Sequence, residues 1–572
     1  MQALFRSGVL FSLLAAAGCQ TILGIGDVQL GPDGGGGGGD IDARPPAPDA
    51  EPALPDASQP SFTFAILTPT VTVPLDGTNV IDVEIVRRGG FDGEVTVMPA
   101  SPPTGLVAQT IRIPAGETRA ELPVGAVAPL VLGDTISFGL VANGTGVAEQ
   151  SAMVNDAQVT GRPGTLDLGF GELATGYAAI SFGNDDGGAF YDLEITGDNK
   201  ILALGWTVGG LGALRIALTR LLPNGAIDPN FGGGNLVRTD FESGSSGEGA
   251  QAYAVGRQVD GRIISIGWHR APNFPPDVGL IRFGVNGAVG DLEFGNHKPG
   301  KSRIDLGGDE EIYAGDVLAN SQILAAGVRD GRLVVTRATT TGELDTSFAS
   351  PFGYQTLAVG TASRANALVV DRQDRIVVAG FVDVNGQRDM VVVRYLADGT
   401  PDASFGNGGV VVAGDATTSE TAAAVAIRPD GRILVAGQSN VNGDVDVQLR
   451  QFLPDGAPDP DFGTDGVSTP RLSTRAEETA DMALLPDGRA LIVGNLAAGG
   501  GNTAEPVVLR YRRDGTLDPY FDDDGVLSLY IGEQGVLQAV ELHPGSQVVI
   551  SGGNEGGTPG PGTFGIVVRM WM

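Results

Sequence analysis

The sequence predicts an all-β chain, and three observations carry that prediction. Short Val/Ile/Leu runs are punctuated by abundant glycine, 89 in 572 residues, while aromatics reach only 6%. Such a composition favours strands and tight turns over long helices. Residues 61–163 alternate apolar and polar positions over strand lengths, and residues 164–572 are built from a recurring unit. The formal net charge is −32, from 68 acids against 36 basic residues. An acidic surface repels phosphate backbones, which argues against a nucleic-acid partner, and it keeps a protein soluble. Cys19 is the only cysteine, so no intramolecular disulfide can form and stability must come from packing.

Residues 1–18 read as an address. MQALFRSGVLFSLLAAAGC carries one positive charge at Arg6, then a short apolar run, then small residues. The run is too short to span a bilayer as a helix and has the proportions of a signal-peptide core. Ala16, Ala17 and Gly18 lead into Cys19, an arrangement that resembles the lipobox of bacterial lipoproteins, although Ala16 stands where Leu is commonest. The resemblance implies cleavage before Cys19 and acylation of that residue, and several acyl chains on one residue hold a protein stably on a membrane. A plain secretory signal cut after Ala17 is the alternative. Gln20, rather than Asp, follows the cysteine, which points to a bacterial outer membrane or cell-surface location.

Residues 19–60 then form a tether rich in Gly, Pro and Asp. Between Gln20 and Pro60 seven acids face the single Arg44. Flexible glycine, stiffer proline and mutual repulsion disfavour collapse. Residues 61–163 follow with FTFAILTP, NVIDVEIVRR, GEVTVMPA, QTIRIPAG, RAELPVGA and DTISFGLVANG. These runs predict six or seven strands in an antiparallel β-sandwich of immunoglobulin-like size. The segment has neither a cysteine pair nor a tryptophan, so the prediction concerns architecture only.

The remainder is repetitive. A D-x-x-F motif recurs with Phe at 170, 231, 294, 348, 405, 462 and 521, at spacings of 61, 63, 54, 57, 57 and 59. Each unit also carries a marker seen best as IRPDGRILVAGQ (427–438), and a strand ending in Arg and a turn, as in VRYLADG (393–399). Asp-Gly between apolar runs signals a hairpin, which favours antiparallel meanders over a parallel solenoid. Room for four strands per unit, repeated seven times, predicts a seven-bladed β-propeller over 164–572. ILVA (433–436) is apolar at successive positions, as expected of a strand covered on both faces.

The combination of F-G-x-x-G, DGRILVAG and V-x-R-x-x-x-D-G resembles the delta-sixty repeat, a family of β-propeller-like repeats in large bacterial surface and secreted proteins. Repeats four to six match it well. The first and third are degenerate, with Asp198-Asn199 and Asn320-Ser321 in place of Asp-Gly. The resemblance implies fold and location only, the family having no established enzymatic activity.

Little in the sequence points to chemistry. His269, His297 and His543 lie in separate repeats without metal-ligand spacing, and no G-x-S-x-G, P-loop or H-E-x-x-H motif occurs. Arg220, Arg282, Arg337, Arg394, Arg510 and Arg569 occupy one repeat position, with Gln451 in the fifth unit. One arginine per blade could ring an anion, but a residue present in nearly every blade more simply pairs with the Asp of D-x-x-F. DVNGQRD (383–389) and NVNGDVD (440–446) have oxygen side chains at alternate positions, as calcium loops do. Neither has the downstream bidentate Glu, and an Asn-Gly turn accounts for both. No cofactor, metal or catalytic residue is therefore expected. The expectation is a monomeric, non-catalytic surface lipoprotein, anchored to the membrane at Cys19 and binding a protein or glycan. The alternative is an extracytoplasmic hydrolase or lyase using carboxylates in the propeller's central channel.

Overall fold

The computed structural model describes residues 59–572 apart from 69, 172–173, 184–186, 209–213, 242–248, 415–416, 442, 474, 498–503, 530–534 and 555–563. Cys19 and the tether as far as residue 58 lie outside the described residues. Among the described residues every regular element is a β-strand, and no helix is long and apolar enough to cross a membrane.

Residues 61–160 make two sheets packed on one core. One has the order Ser61–Ile66, Asn79–Arg88, Arg119–Ala126, Leu106–Ala108. The other runs Thr72–Pro74, Gln150–Thr160, Thr135–Gly144, Val95–Ala100, Ile111–Ile113. Period-two alternation does the folding work: Ile81, Val83 and Ile85 point inward while Asp82 and Glu84 lie between them on the other face. All six expected strand runs are present. Thr72–Pro74 and Leu106–Ala108 are too short to alternate, and Gln150–Thr160 is too polar to read as a strand. Thr72–Pro74 pairs parallel to Gln150–Thr160, a register that no local pattern encodes.

Seven four-stranded antiparallel meanders follow. The first is Gly188–Ile195, Ile201–Val208, Leu214–Leu221 and Val237–Thr239, and the next five repeat its order. The seventh takes Val536–His543, Gln547–Asn554 and Phe564–Trp571 from the C-terminus, and its outer strand is Tyr177–Ser181 from the start of the array. Leading strands of successive meanders pack side by side, and Val536–His543 returns against Gly188–Ile195, so the array closes on itself. Pairing of Gly188 with Asn554 and Ala189 with Gly553 joins the first and seventh meanders into one eight-stranded sheet.

This places the sheet boundary one strand away from the sequence unit. The strand after each Phe-Gly belongs with the three strands before it, not the three after it: Val467–Ser468 pairs with Asp444–Phe452. The first D-x-x-F, at 167–170, accordingly serves the seventh meander. A chain whose first strand completes its last sheet cannot open without breaking that pairing.

Asp-Gly between apolar runs also predicts a two-residue turn with positive φ, and the turns correct this expectation. Between the first and second strands of the fifth meander, Gly431 N–H bonds to the Arg428 carbonyl across Pro429 and Asp430, and only Gly431 has positive φ, +87°. Proline fixes a negative φ, so the loop is a type I turn closed by a left-handed residue, not a two-residue turn. In the degenerate first and third units Asn199 (φ 62°) and Ser321 (φ 67°) hold the same conformation without glycine, as does Asp374 (φ 59°) in the fourth. Two-residue turns with both φ positive occur instead between second and third strands, at Asp330-Gly331 and Asn385-Gly386.

Every leading strand carries a β-bulge at one position. The bulged residues are Tyr191, Tyr253, Tyr313 and Asn366 in the first four meanders. Ala423, Ala480 and Gln538 follow in the last three. Opposite each bulge stands the glycine of the V-A-G marker. A Cβ on Gly437 would lie 2.0 Å from the Thr421 carbonyl oxygen, and the other six meet a carbonyl as closely. This glycine, unexplained by turn chemistry, is required by close backbone approach.

The sandwich rests on the sixth meander. There the turn reads RYRRDG, and the doubled arginines reach across: Arg512 to Glu121 at 3.0 Å and Arg513 to Asp82 at 3.4 Å.

Candidate functional site

The repeated ionisable residues form a lock within the meanders. The third-strand arginine meets the D-x-x-F aspartate of its own sheet at 2.7–2.8 Å in six meanders, from Arg220–Asp228 to Arg510–Asp518 and Arg569–Asp167. In the fifth, Gln451 reaches Asp459 at 2.7 Å. The second carboxylate oxygen accepts the backbone N–H two residues on in all seven, as from Asp461 to Asp459 and from Tyr520 to Asp518. Since that donor is backbone, its side chain is free to vary. A second basic or amide group from the first turn also converges on the aspartate: Arg489 on Asp518 at 2.9 Å, Arg432 on Asp459 at 2.9 Å, Gln547 on Asp167 at 2.7 Å. Burial alone would raise the pKa of these carboxyls. The donated hydrogen bonds and adjacent cations outweigh it and hold Asp228, Asp345, Asp402, Asp459 and Asp518 below the ordinary carboxylate range.

The phenylalanine completes the unit. Arginine guanidinium groups sit 4.5–5.0 Å over the rings of Phe170, Phe231, Phe294, Phe348, Phe405 and Phe521. Every D-x-x-F ring except Phe521 wedges under the turn of the next meander, as where a Cβ on Gly515 would stand 2.9–3.0 Å from the Phe462 ring. Five of these arginines also reach the neighbouring turn, as where Arg394 donates to the Pro454 carbonyl at 2.6 Å. In the fifth meander the missing arginine is replaced in space by Arg428, which donates to Gln451 at 2.5 Å and to the Gly488 carbonyl. The arginine ring is thus a set of local pairs, as the repeat position implies.

The other sequence candidates are dispersed. His269 and His297 are brought together although their repeats differ, stacking against Phe241 at 4.2 and 5.9 Å between ring centroids. His543 lies at the array's closure, facing the Pro544 and Asn199 carbonyls. Burial and the nearby Arg569 lower its pKa. In the first Asn-Gly hairpin the Asp383 carboxylate meets Arg388 at 3.3 Å. An acidic group missed in the sequence gathers Asp277, Asp305 and Glu310, with ligand atoms within 4.8 Å of one another. Burial, with the two aspartates adding to it, pushes Glu310 up to about 7.

The seven bulges point at one place, the axis of the ring. They border a cavity of about 390 Å³ lined by the leading strands. Tyr191, Tyr253 and Tyr313 form an arc, with centroids 5.1 and 5.3 Å apart and successive rings tilted by 59°. Arg364 extends it, 4.6 Å over Tyr313, with its Nε donating to Asn366 at 2.8 Å. Tyr253 and Tyr313 donate their hydroxyls to Gln251 (2.9 Å) and Glu311 (2.5 Å). Burial and Glu311 raise the Tyr313 pKa, so the phenol stays protonated. The carboxylates lining the cavity are partly engaged in structure: Asp192 accepts the Val255 N–H at 2.6 Å and Asp481 the Val540 N–H at 2.9 Å.

Four stretches of the ring, 196–231, 374–405, 428–462 and 485–521, match the family model described as "Domain of unknown function (DUF5122) beta-propeller". Each ends on the phenylalanine of D-x-x-F, and so covers the second strand, the third strand and the lock. The ring is a β-propeller. The first stretch includes the degenerate turn at Asp198-Asn199, where Asn199 holds a positive φ of 62°. No curated protein matches the chain. Solved structures give weak likenesses. A GH43 endo-arabinanase from Bacillus licheniformis is 10% identical, with a TM-score of 0.22, over 44% of this chain and 89% of that one. A hypothetical protein from Leishmania major is 7% identical, with a TM-score of 0.22, over 44% and 80%. Domains 4–9 of the surface layer protein SbsC are 9% identical, with a TM-score of 0.15, over 85% and 84%. At these scores the likenesses carry no argument about function.

Proposed function

We propose that the protein is a non-catalytic, lipid-anchored cell-surface lipoprotein of the bacterial outer membrane, holding an immunoglobulin-like sandwich and a seven-bladed β-propeller outward to bind a protein or glycan. The observation that carries this reading is the order of parts. A lone cysteine follows a short apolar run, then an acidic tether, then two β units with no catalytic motif. The non-catalytic character is supported by how the repeated acids are used. The D-x-x-F aspartates are committed to arginines, lysine or amides and to backbone N–H groups. In this reading the closing strand Tyr177–Ser181 makes seven blades from seven repeats, and the propeller's constant residues serve the scaffold while its variable ones serve the ligand.

The test is membrane fractionation with lipid labelling. The wild-type chain should partition with membranes and incorporate labelled palmitate, and Cys19→Ser should do neither. Membrane retention and labelling of the Cys19→Ser chain would overturn the anchor. Measurable glycoside cleavage by the released protein would overturn the non-catalytic reading.

A further inference from the structure

The bulge position of the leading strand separates scaffold from function. Ala423 and Ala480 form the same bulge as the tyrosines, so the backbone does not require an aromatic there. Three consecutive blades nevertheless carry Tyr191, Tyr253 and Tyr313, and the fourth continues with Asn366. The wall across the cavity has no aromatic residue: Ala423 and Ala480 are small, Gln438 and Gln538 bear amides, and Asp481 and Glu541 lie beside them. An aromatic arc opposite a low wall leaves room for one flat ligand face. All three tyrosines are only half-buried, and two are fixed by their hydroxyl bonds, so little side-chain freedom is lost when a ligand covers them.

Chemistry narrows the ligand. A wholly apolar molecule would cover the Arg364 guanidinium and the amides of Gln438 and Gln538 while replacing none of their water hydrogen bonds, a costly burial. An anion would meet Asp192, Asp481 and Glu541 with one arginine in its favour, on a chain of net charge −32. A cation on the arc would be opposed by the Arg364 guanidinium, 4.6 Å over Tyr313. What remains is a neutral ring with an apolar C–H face and hydroxyls at its edge. We infer that the tyrosine arc binds a neutral pyranose residue, with Tyr253 and its neighbours against the C–H face and Arg364, Gln438 and Gln538 bonding the hydroxyls. This rests on the reading of the propeller as a glycan-binding surface module and assigns that reading its site.

The experiment titrates the full chain with neutral tetrasaccharides of glucose, galactose, mannose and N-acetylglucosamine, up to about 10 mM, with choline and inorganic phosphate as controls. At least one tetrasaccharide should bind saturably while neither control does. Tyr253→Ala should weaken it at least about tenfold, and Ala480→Phe, which fills the opposite wall, should do the same. Tyr253→Phe keeps the ring and should stay within about threefold. Melting temperatures of the three variants verify folding, and the Phe variant preserves the test if either of the others fails to fold. The inference is overturned if no tetrasaccharide binds, if choline or phosphate binds in its place, or if a bound tetrasaccharide ignores the Tyr253 and Ala480 substitutions. The last result would leave a glycan-binding lipoprotein intact with its site elsewhere. Loss of the Cys19 anchor would instead remove the surface reading and leave the tyrosine site standing.

Discussion

Asp518→Ala isolates the lock that each blade repeats. The substitution removes the partner of Arg510, a side chain with 0% exposure bound at 2.7 Å, and one of two partners of Arg489. It also frees the Tyr520 N–H, held at 3.1 Å. Leaving a buried guanidinium uncompensated costs about 3–5 kcal/mol, and the lost backbone hydrogen bond about 1 kcal/mol more. Urea denaturation should therefore show a loss of about 4–6 kcal/mol at neutral pH. The three tryptophans, Trp206, Trp268 and Trp571, all lie in the propeller and report on it. Salt should leave the loss nearly unchanged, because a buried pair is poorly screened. Arg510→Gln copies the natural Gln451–Asp459 arrangement and should cost only about 1–2 kcal/mol, mostly the cation–π contact with Phe521. The double variant Arg510→Met/Asp518→Ala should be more stable than Asp518→Ala alone, since the stranded charge is gone. A single-variant loss below about 1 kcal/mol, or a double variant no better than the single, would refute the buried-cation argument.

Three further outcomes are expected. Phe462→Ala, at a ring with 0% exposure wedged against Gly515, should cost about 3–5 kcal/mol by the same denaturation. Gly437→Ala should cost about 3 kcal/mol despite adding one methyl, because its Cβ meets the Thr421 carbonyl; Gly386→Ala, with open space around it, should cost less. For Glu310 the folded state keeps its proton up to about 7 while the unfolded chain loses it near 4.5, so stability falls as pH rises between those values. Glu310→Gln should match wild type at pH 5 and exceed it by about 1–3 kcal/mol at pH 8, read from paired denaturation curves.

Much of this architecture is legible along the chain because it is local. The D-x-x-F spacing, the alternating sandwich strands and the pairing of the repeat arginines with aspartates all follow from residues a few positions apart. Arg394 and Asp402 are eight apart, within reach of one turn, so their meeting needs no knowledge of the rest of the fold. The apolar ILVA run announced a strand buried on both faces, and residues 433–436 are buried. The role of Gly437 is not legible in this way, because its constraint comes from a carbonyl sixteen residues away across a bulge.

Other features depended on distance in sequence. Which sheet the strand after Phe-Gly joins is a choice between two edges that its own residues do not encode, and only ring closure selects the earlier one. Tyr177–Ser181 and Phe564–Trp571 pair across nearly the whole array for that reason. The tyrosine arc is equally silent: Tyr191, Tyr253 and Tyr313 stand about a repeat apart and read as scattered aromatics until the ring brings them within 5.3 Å. Periodicity in the sequence determined the blade, its lock and its repetition, since each is satisfied by neighbours in the chain. Tertiary structure decided the closure, the docking of the sandwich and the contents of the channel, since these arise only where separate repeats converge on one axis.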